Sequence, residues 1–333
     1  MVREEDARVA REDDARARRG GATGAASRCG CGAAGGGAGS RPVIDGDGHG
    51  DMTLFHRPST RGRGNRAWLA WLCIGSLLLL GLVVVAGRLL MPGAMATDFS
   101  AKMLAPSWSH PFGTDQMGRD MFARTCAGLS ISLFVGLLAS LATGALALAL
   151  AMTAACGGRA ADAVVSWLID LVMGVPHIVL LLLISYSLGR GFWGVAVGVS
   201  LTHWPGLARV LRAELMQAKC EPYLKVSAAL GVSRWRRAAR HLLPAVVPQL
   251  IVGMVLSFPH AILHEASITF LGFGLSPDVP AIGVILAESM GYLTAGAWWL
   301  ALLPGLVLIG CVLLFDVMGS SLRRLVDART SQE

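Results

Sequence analysis

Six stretches of this chain, roughly residues 68–91, 129–155, 163–187, 192–208, 245–266 and 298–318, run almost without charge through Leu, Val, Ala, Ile and Gly. A helix needs about 20 apolar residues to cross the hydrocarbon core of a bilayer. Inside lipid every backbone N–H and C=O must be satisfied by protein, which a helix does within its own length. The runs therefore predict an all-α, polytopic membrane protein with six transmembrane helices. The fourth run is short and contains His203 and Pro205, so it is the weakest of the set. Six crossings would place both chain ends on one side.

Composition points the same way. Hydrophobic residues make up 54% of the chain and charged residues 15%, whereas ordinary soluble domains carry about 25% charge. No large water-soluble domain fits between the runs. The net charge of +7 raises the question of nucleic acid, but the basic side chains do not build one face of a soluble fold. They gather in the N-terminal tail and in a loop between spans, as Lys and Arg do on the cytoplasmic side of membrane proteins. The 209–243 loop carries Arg209, Arg212, Lys219, Lys225, Arg234, Arg236, Arg237 and Arg240. The 267–297 connection carries no Lys or Arg, and the C-terminal tail carries Arg323, Arg324 and Arg329. Cytoplasmic N- and C-termini follow. Loops 92–128 and 188–191 then face outward, with Lys102, Arg119, Arg124 and Arg190 as exceptions.

Residues 1–66 differ from everything after them. They are rich in Arg, Asp, Glu, Gly and Ala, with almost no large apolar residue before Leu54. Such a composition cannot bury a core, and a disordered cytoplasmic tail is expected. Met52 stands just before a short polar stretch and the first span, a natural start, so residues 1–51 read as an over-long beginning. The remaining segments divide into the first span with its outer segment (67–128), a core of five helices (129–320) and a cytoplasmic tail (321–333). The seven cysteines form no Cys-x-x-Cys pair, and Cys29-Gly-Cys31 lies in the low-complexity tail.

Three polar stretches carry the rest. The loop from Tyr223 to Pro248 has a Lys225-Val226-Ser227 triplet, then Gly231, then His241-Leu242-Leu243-Pro244. A glycine there lets the chain turn between two short helices, and Pro244 suits the first turn of the fifth span. Tyr223 and Leu230 offer apolar anchors beside an Arg-rich face. Before the second span stands His110-Pro-Phe-Gly-Thr-Asp-Gln-Met-Gly-Arg-Asp120, followed by Arg124; Asp115, Arg119 and Asp120 can pair near the membrane surface. After the fifth span comes His264-Glu-Ala-Ser-Ile-Thr-Phe-Leu-Gly-Phe-Gly-Leu-Ser-Pro277, with Trp298-Trp299 at the next interface.

Together these stretches resemble the permease subunits of ABC importers of the dipeptide/oligopeptide/nickel, binding-protein-dependent family. The first resembles that family's EAA loop: the spacing of triplet, glycine and Leu-Pro is kept, while Lys225 replaces the acidic residue and His241 the apolar one. The resemblance implies a type I permease fold in a bacterial-type cytoplasmic (inner) membrane, each chain forming half the pore. It implies a second homologous permease subunit, two ABC ATPase subunits and an extracytoplasmic substrate-binding protein as partners. ATPase docking falls on Tyr223, Lys225, Ser227, Leu230, Gly231, His241 and Pro244. Catalysis belongs to the ATPases; the chain has no Gly-x-x-x-x-Gly-Lys-Ser/Thr loop of its own. The cargo expected is a short peptide, nickel or a metal chelate.

His177, His203, His260 and His264 lie in or beside proposed spans, with Glu265 adjacent and Asp170 in the third span. Ionisable groups at membrane depth usually face a bundle interior or a pathway, so these six residues are candidate path residues. His260 and His264, four apart, share a helix face and form a candidate metal pair; imidazole suits Ni²⁺ and Zn²⁺. The plainer reading gives each His a backbone carbonyl or a neighbouring helix. A membrane enzyme lacks a third placed ligand here, and His-Glu-x-x-His is absent because position 268 is Ile. An ion-coupled carrier or channel without ATPases is the remaining alternative, although no matched broken helices in two halves are evident.

Overall fold

A computed structural model of the chain describes residues 61–326. The described residues form helices α1 (Arg61–Met95), α2 (Met121–Cys156), α3 (Gly158–Met173), α4 (His177–Ser187), α5 (Phe192–Ala218), α6 (Pro222–Ala229), α7 (Arg234–Arg237), α8 (Leu243–Phe270), α9 (Ile282–Leu293) and α10 (Trp299–Val326). A single 3₁₀ turn, Phe99–Ala101, lies between α1 and α2. The expected all-α class is therefore found, with no strand among the described residues. The start proposed at Met52 lies outside them.

Four helical stretches are long and apolar enough to cross a bilayer: Ala67–Met95, Met121–Cys156, Arg234–Phe270 and Trp299–Leu325. A fifth exists if α3 and α4 are counted as one span bent by 93°. This is fewer than the six expected, for two physical reasons. The run at 163–187 is broken at Gly174-Val175-Pro176, because a residue preceding proline is driven out of the helical region. The run at 192–208 opens α5, a continuous 27-residue helix whose second half carries Arg209, Arg212 and Glu214. Most of its first half packs against protein: Val195, Val199, Ser200, Thr202, Trp204 and Leu207 are buried, while Trp193, Val197 and Leu201 form an exposed stripe. Hydropathy reports lipid contact, and a helix that offers only one narrow face to lipid needs few apolar residues.

α2 is the hub, packing most extensively against α5, α1 and α8. Its inward residues are small, including Ala123, Ala127, Gly128, Ala139, Gly144, Ala147 and Ala151. Apolar side chains gain little by leaving lipid for a protein interior, so close backbone approach and van der Waals contact hold such helices together. Gly128 shows the consequence: a Cβ there would meet the backbone of Pro280, with Ile282 N at 3.1 Å and Ala281 C at 3.2 Å. The outward faces carry large apolar groups instead, such as Trp68, Leu78, Leu82 and Leu89 of α1.

The segment before α2 is tied down by charge. Asp115 Oδ2 accepts from Arg119 Nε at 2.6 Å and from Arg124 Nη1 at 2.8 Å. Glu288 of α9 accepts from Arg124 Nη1 at 3.1 Å and Arg119 Nη2 at 3.3 Å. Asp120 does not join this set: it caps α2, accepting from Ala123 N at 2.8 Å, and meets His110 Nδ1 at 2.7 Å. The sequence named both Arg residues but not Glu288. A signal was present, since Glu288 is the sole charged residue of the apolar helix α9.

Candidate functional site

Two regions gather the polar residues singled out above. The first is the basic loop. α6 starts with a proline in its first turn, whose missing N–H would be unpaired there in any case. It ends when Gly231 takes φ +76°, a left-handed conformation that glycine adopts without Cβ strain. Leu230 N donates to Val226 O at 3.0 Å, and Val232 N to Ser227 O at 3.2 Å, closing the turn. Ser233 then caps α7 through Arg236 N.

α7 passes into α8 through a π-helical turn, Ala238–Leu242. Pro244 explains it: a proline lacks the N–H for the usual helical bond and its ring crowds the preceding turn. The fifth span thus begins earlier than a helix starting at the proline would. Leu224 is buried and anchors the hairpin, while Tyr223, Leu230 and Trp235 are 48%, 78% and 68% exposed. The Tyr223 ring lies edge-on to His241, 5.8 Å between centroids. Lys225 and Pro244 are exposed, and Ser227 and His241 half-buried. Under the hairpin a cavity of about 310 Å³ is lined by Cys156, Lys219, Leu224, Lys225 and Arg237 among others. Lys219 Nζ donates to Ala155 O at 2.6 Å, holding the end of α5 to the end of α2.

The second region lies at the α3–α4 break. His177 is the first residue of α4, His203 sits two residues before Pro205 in α5, and His264 lies in α8. The fold brings the three together: ring centroids are 4.6 Å (His177–His203), 4.5 Å (His177–His264) and 5.0 Å (His203–His264) apart. One nitrogen from each ring lies within 4.8 Å of the others, and all three residues are half-buried. His203 Nδ1 lies 2.9 Å from Val199 O. A carbonyl only accepts, so Nδ1 carries the proton and Nε2 keeps its lone pair.

The expected pair of His260 and His264 shares a face of α8, but the nitrogens that converge on His264 come from α4 and α5, and His260 is exposed and outside that trio. Glu265 does not join either. It is fully buried, with Oε1 accepting from Thr269 Oγ1 at 3.0 Å and Ser132 of α2 beside it. Successive helical residues point about 100° apart, so neighbours in sequence face different surroundings. Asp170 pairs with Arg209 Nη2 at 2.9 Å. Asp162, which the sequence did not single out, takes Arg212 in two bonds of 2.6 and 2.8 Å.

Lipid-length helices around a hub of small residues, with a basic helical hairpin anchored to the bundle through Leu224, Ala238 and Leu242, define a multi-pass membrane protein. Residues 145–332 match the family described as the binding-protein-dependent transport system inner membrane component. The chain is 31% identical over 270 residues to a dipeptide transport system permease protein of Bacillus subtilis, covering 81% of this chain and 84% of that one. It is 37% identical to a putative peptide permease protein of Brucella suis (70% and 77% covered). It is 28% identical to a probable D,D-dipeptide transport system permease protein of Escherichia coli (84% and 97% covered). The chain belongs to this family: it is a permease subunit of an ABC importer, and the family is a transport component, not an enzyme.

Proposed function

We propose that this chain forms half the pore of an ATP-driven importer of short peptides. In this reading the loop 221–244 couples it to two ATPase subunits, which bind the ATP. A second homologous permease completes the pore, and an extracytoplasmic protein delivers cargo. Both chain ends lie in the cytoplasm, as the basic loop between Arg209 and Arg240 favours. The peptide cargo rests on the likeness to peptide and dipeptide permeases.

The hairpin on either side of Gly231 carries the reading. It sets large apolar side chains, Leu230 and Trp235 above all, in a loop too basic to lie in lipid. Apolar groups on such a loop need a protein partner to leave water. Tilting of that hairpin by a partner would shift the pore between inward- and outward-open states, in proportion to the partner's preference for one of them.

Uptake of a labelled dipeptide by cells with the gene deleted, complemented or carrying Leu230→Asp tests this. Expected is uptake restored by the wild-type gene, abolished by ATP depletion and lost in Leu230→Asp while the protein remains in the membrane. Uptake that follows an ion gradient and ignores ATP would instead establish the carrier alternative. A second cargo class, metal ions or their chelates, is favoured by one observation only, the histidine trio.

A further inference from the structure

We infer that His177, His203 and His264 form a three-nitrogen site for a divalent first-row transition-metal ion that keeps part of its own ligand shell. As a cargo contact the site rests on the importer reading; as a binding site it does not.

Ring stacking alone does not account for the trio. Phe or Tyr would stack as well, whereas three imidazoles from α4, α5 and α8 converge with a ligand nitrogen of each within 4.8 Å of the others. Bonds of 2.0–2.1 Å at tetrahedral angles place ligand nitrogens roughly 3.3 Å apart. Binding therefore requires the three rings to turn toward one another. His203 is already arranged as a metal-binding histidine: its Nδ1–H is held by Val199 O at 2.9 Å, which orients the ring and leaves Nε2 as the donor. Among the described residues His177 and His264 make ring contacts but no hydrogen bond that would occupy their lone pairs.

The donor set also decides the kind of ion and how it is held. Neutral imidazoles suit Ni²⁺, Co²⁺, Cu²⁺ and Zn²⁺ rather than Mg²⁺ or Ca²⁺, which take oxygen ligands. Structural zinc sites are closed by four protein ligands, whereas three leave a position open. No carboxylate belongs to the trio, so its own ligands leave the ion's charge uncompensated. Such a site favours exchange over storage, and it accepts an ion that arrives carrying a chelating ligand.

Location gives the site its route. His177 begins the helix after the 93° bend, where the first N–H groups of α4 lack helical partners. Polar backbone at membrane depth is tolerated where it is covered by protein or lines a water-filled cavity.

The test uses the purified full-length chain in detergent, titrated with Co²⁺ as a spectroscopic probe. Expected is one visible-region Co²⁺ spectrum per chain, displaced by Ni²⁺, retained in His260→Ala and lost in His177→Ala, His203→Ala and His264→Ala. Each variant must elute as a single species, and His264→Asn guards against misfolding by keeping a polar side chain. Absence of saturable Co²⁺ binding, or binding retained in the trio variants, overturns the site. In cells, labelled Ni²⁺ uptake lost in the trio variants but kept in Gly75→Ala, with every variant present in the membrane, supports contact with metal cargo. Binding lost in the variants while Ni²⁺ uptake persists overturns the cargo role and leaves a resident ion. Loss of all uptake in wild-type cells would count against the importer reading itself.

Discussion

Arg124 is 2% exposed, and its charge is met by Asp115 at 2.8 Å and Glu288 at 3.1 Å. A buried ion pair adds little net stability when both partners are present, yet removing one costs about 3–5 kcal/mol because the other charge is stranded. Asp115→Asn should therefore lower the thermal midpoint of the detergent-purified protein clearly, with Arg119 and Arg124 both left short of an acceptor. Glu288→Gln should cost less, since the Glu288 side chain is 27% exposed and water can replace part of the contact. Thermal denaturation of the two variants side by side checks the order. At this scale the sequence was legible where a residue's own backbone demanded it. Gly231 could be placed because a positive φ between two short helices calls for glycine. Glu288 could not be paired with Arg124, because 164 residues separate them and no local pattern records the contact.

Elements were legible where they meet lipid and obscure where they meet each other. α1, α2, α8 and α10 announce themselves by length and hydropathy, although each helix runs past its apolar stretch, by up to eight residues at the start of α2 and the end of α10. α3 and α4 were read as one span since the break depends on two residues, Gly174 and Pro176, within an otherwise continuous apolar run. The histidine trio was hidden for a related reason. Helical spacing correctly groups His260 with His264, but the convergence of α4, α5 and α8 is a tertiary fact. Packing at α2 yields a sharper expectation. Gly128→Val would force its side chain against the backbone of Pro280–Ile282, which cannot rotate away as a flexible side chain can. Overpacking of this sort costs about 1–3 kcal/mol. A lower thermal midpoint for Gly128→Val, with Gly75→Ala unaffected because nothing lies within 4 Å of its added Cβ, is the expected pair of results.

For the molecule as a whole, the charged contacts between α3 and α5 gain meaning from the basic second half of α5, where Arg212 is partly buried and Arg209 exposed. Asp162 and Asp170 meet Arg212 and Arg209 respectively, so the helix least suited to lipid carries cations matched by α3, two helices earlier. Replacing both aspartates with asparagine should leave α1 and α2 in the membrane but impair the placement of α5. A topology reporter fused after Ala218 reads this directly, and an unchanged signal would show that the pairs are dispensable.

The consequence reaches back to synthesis. As the ribosome delivers this chain, α5 emerges only after α3 and α4. Its exit from the translocon into the bilayer would then be a joint event, with α3 waiting as an acidic escort. The bundle would be assembled in part before it is fully inserted.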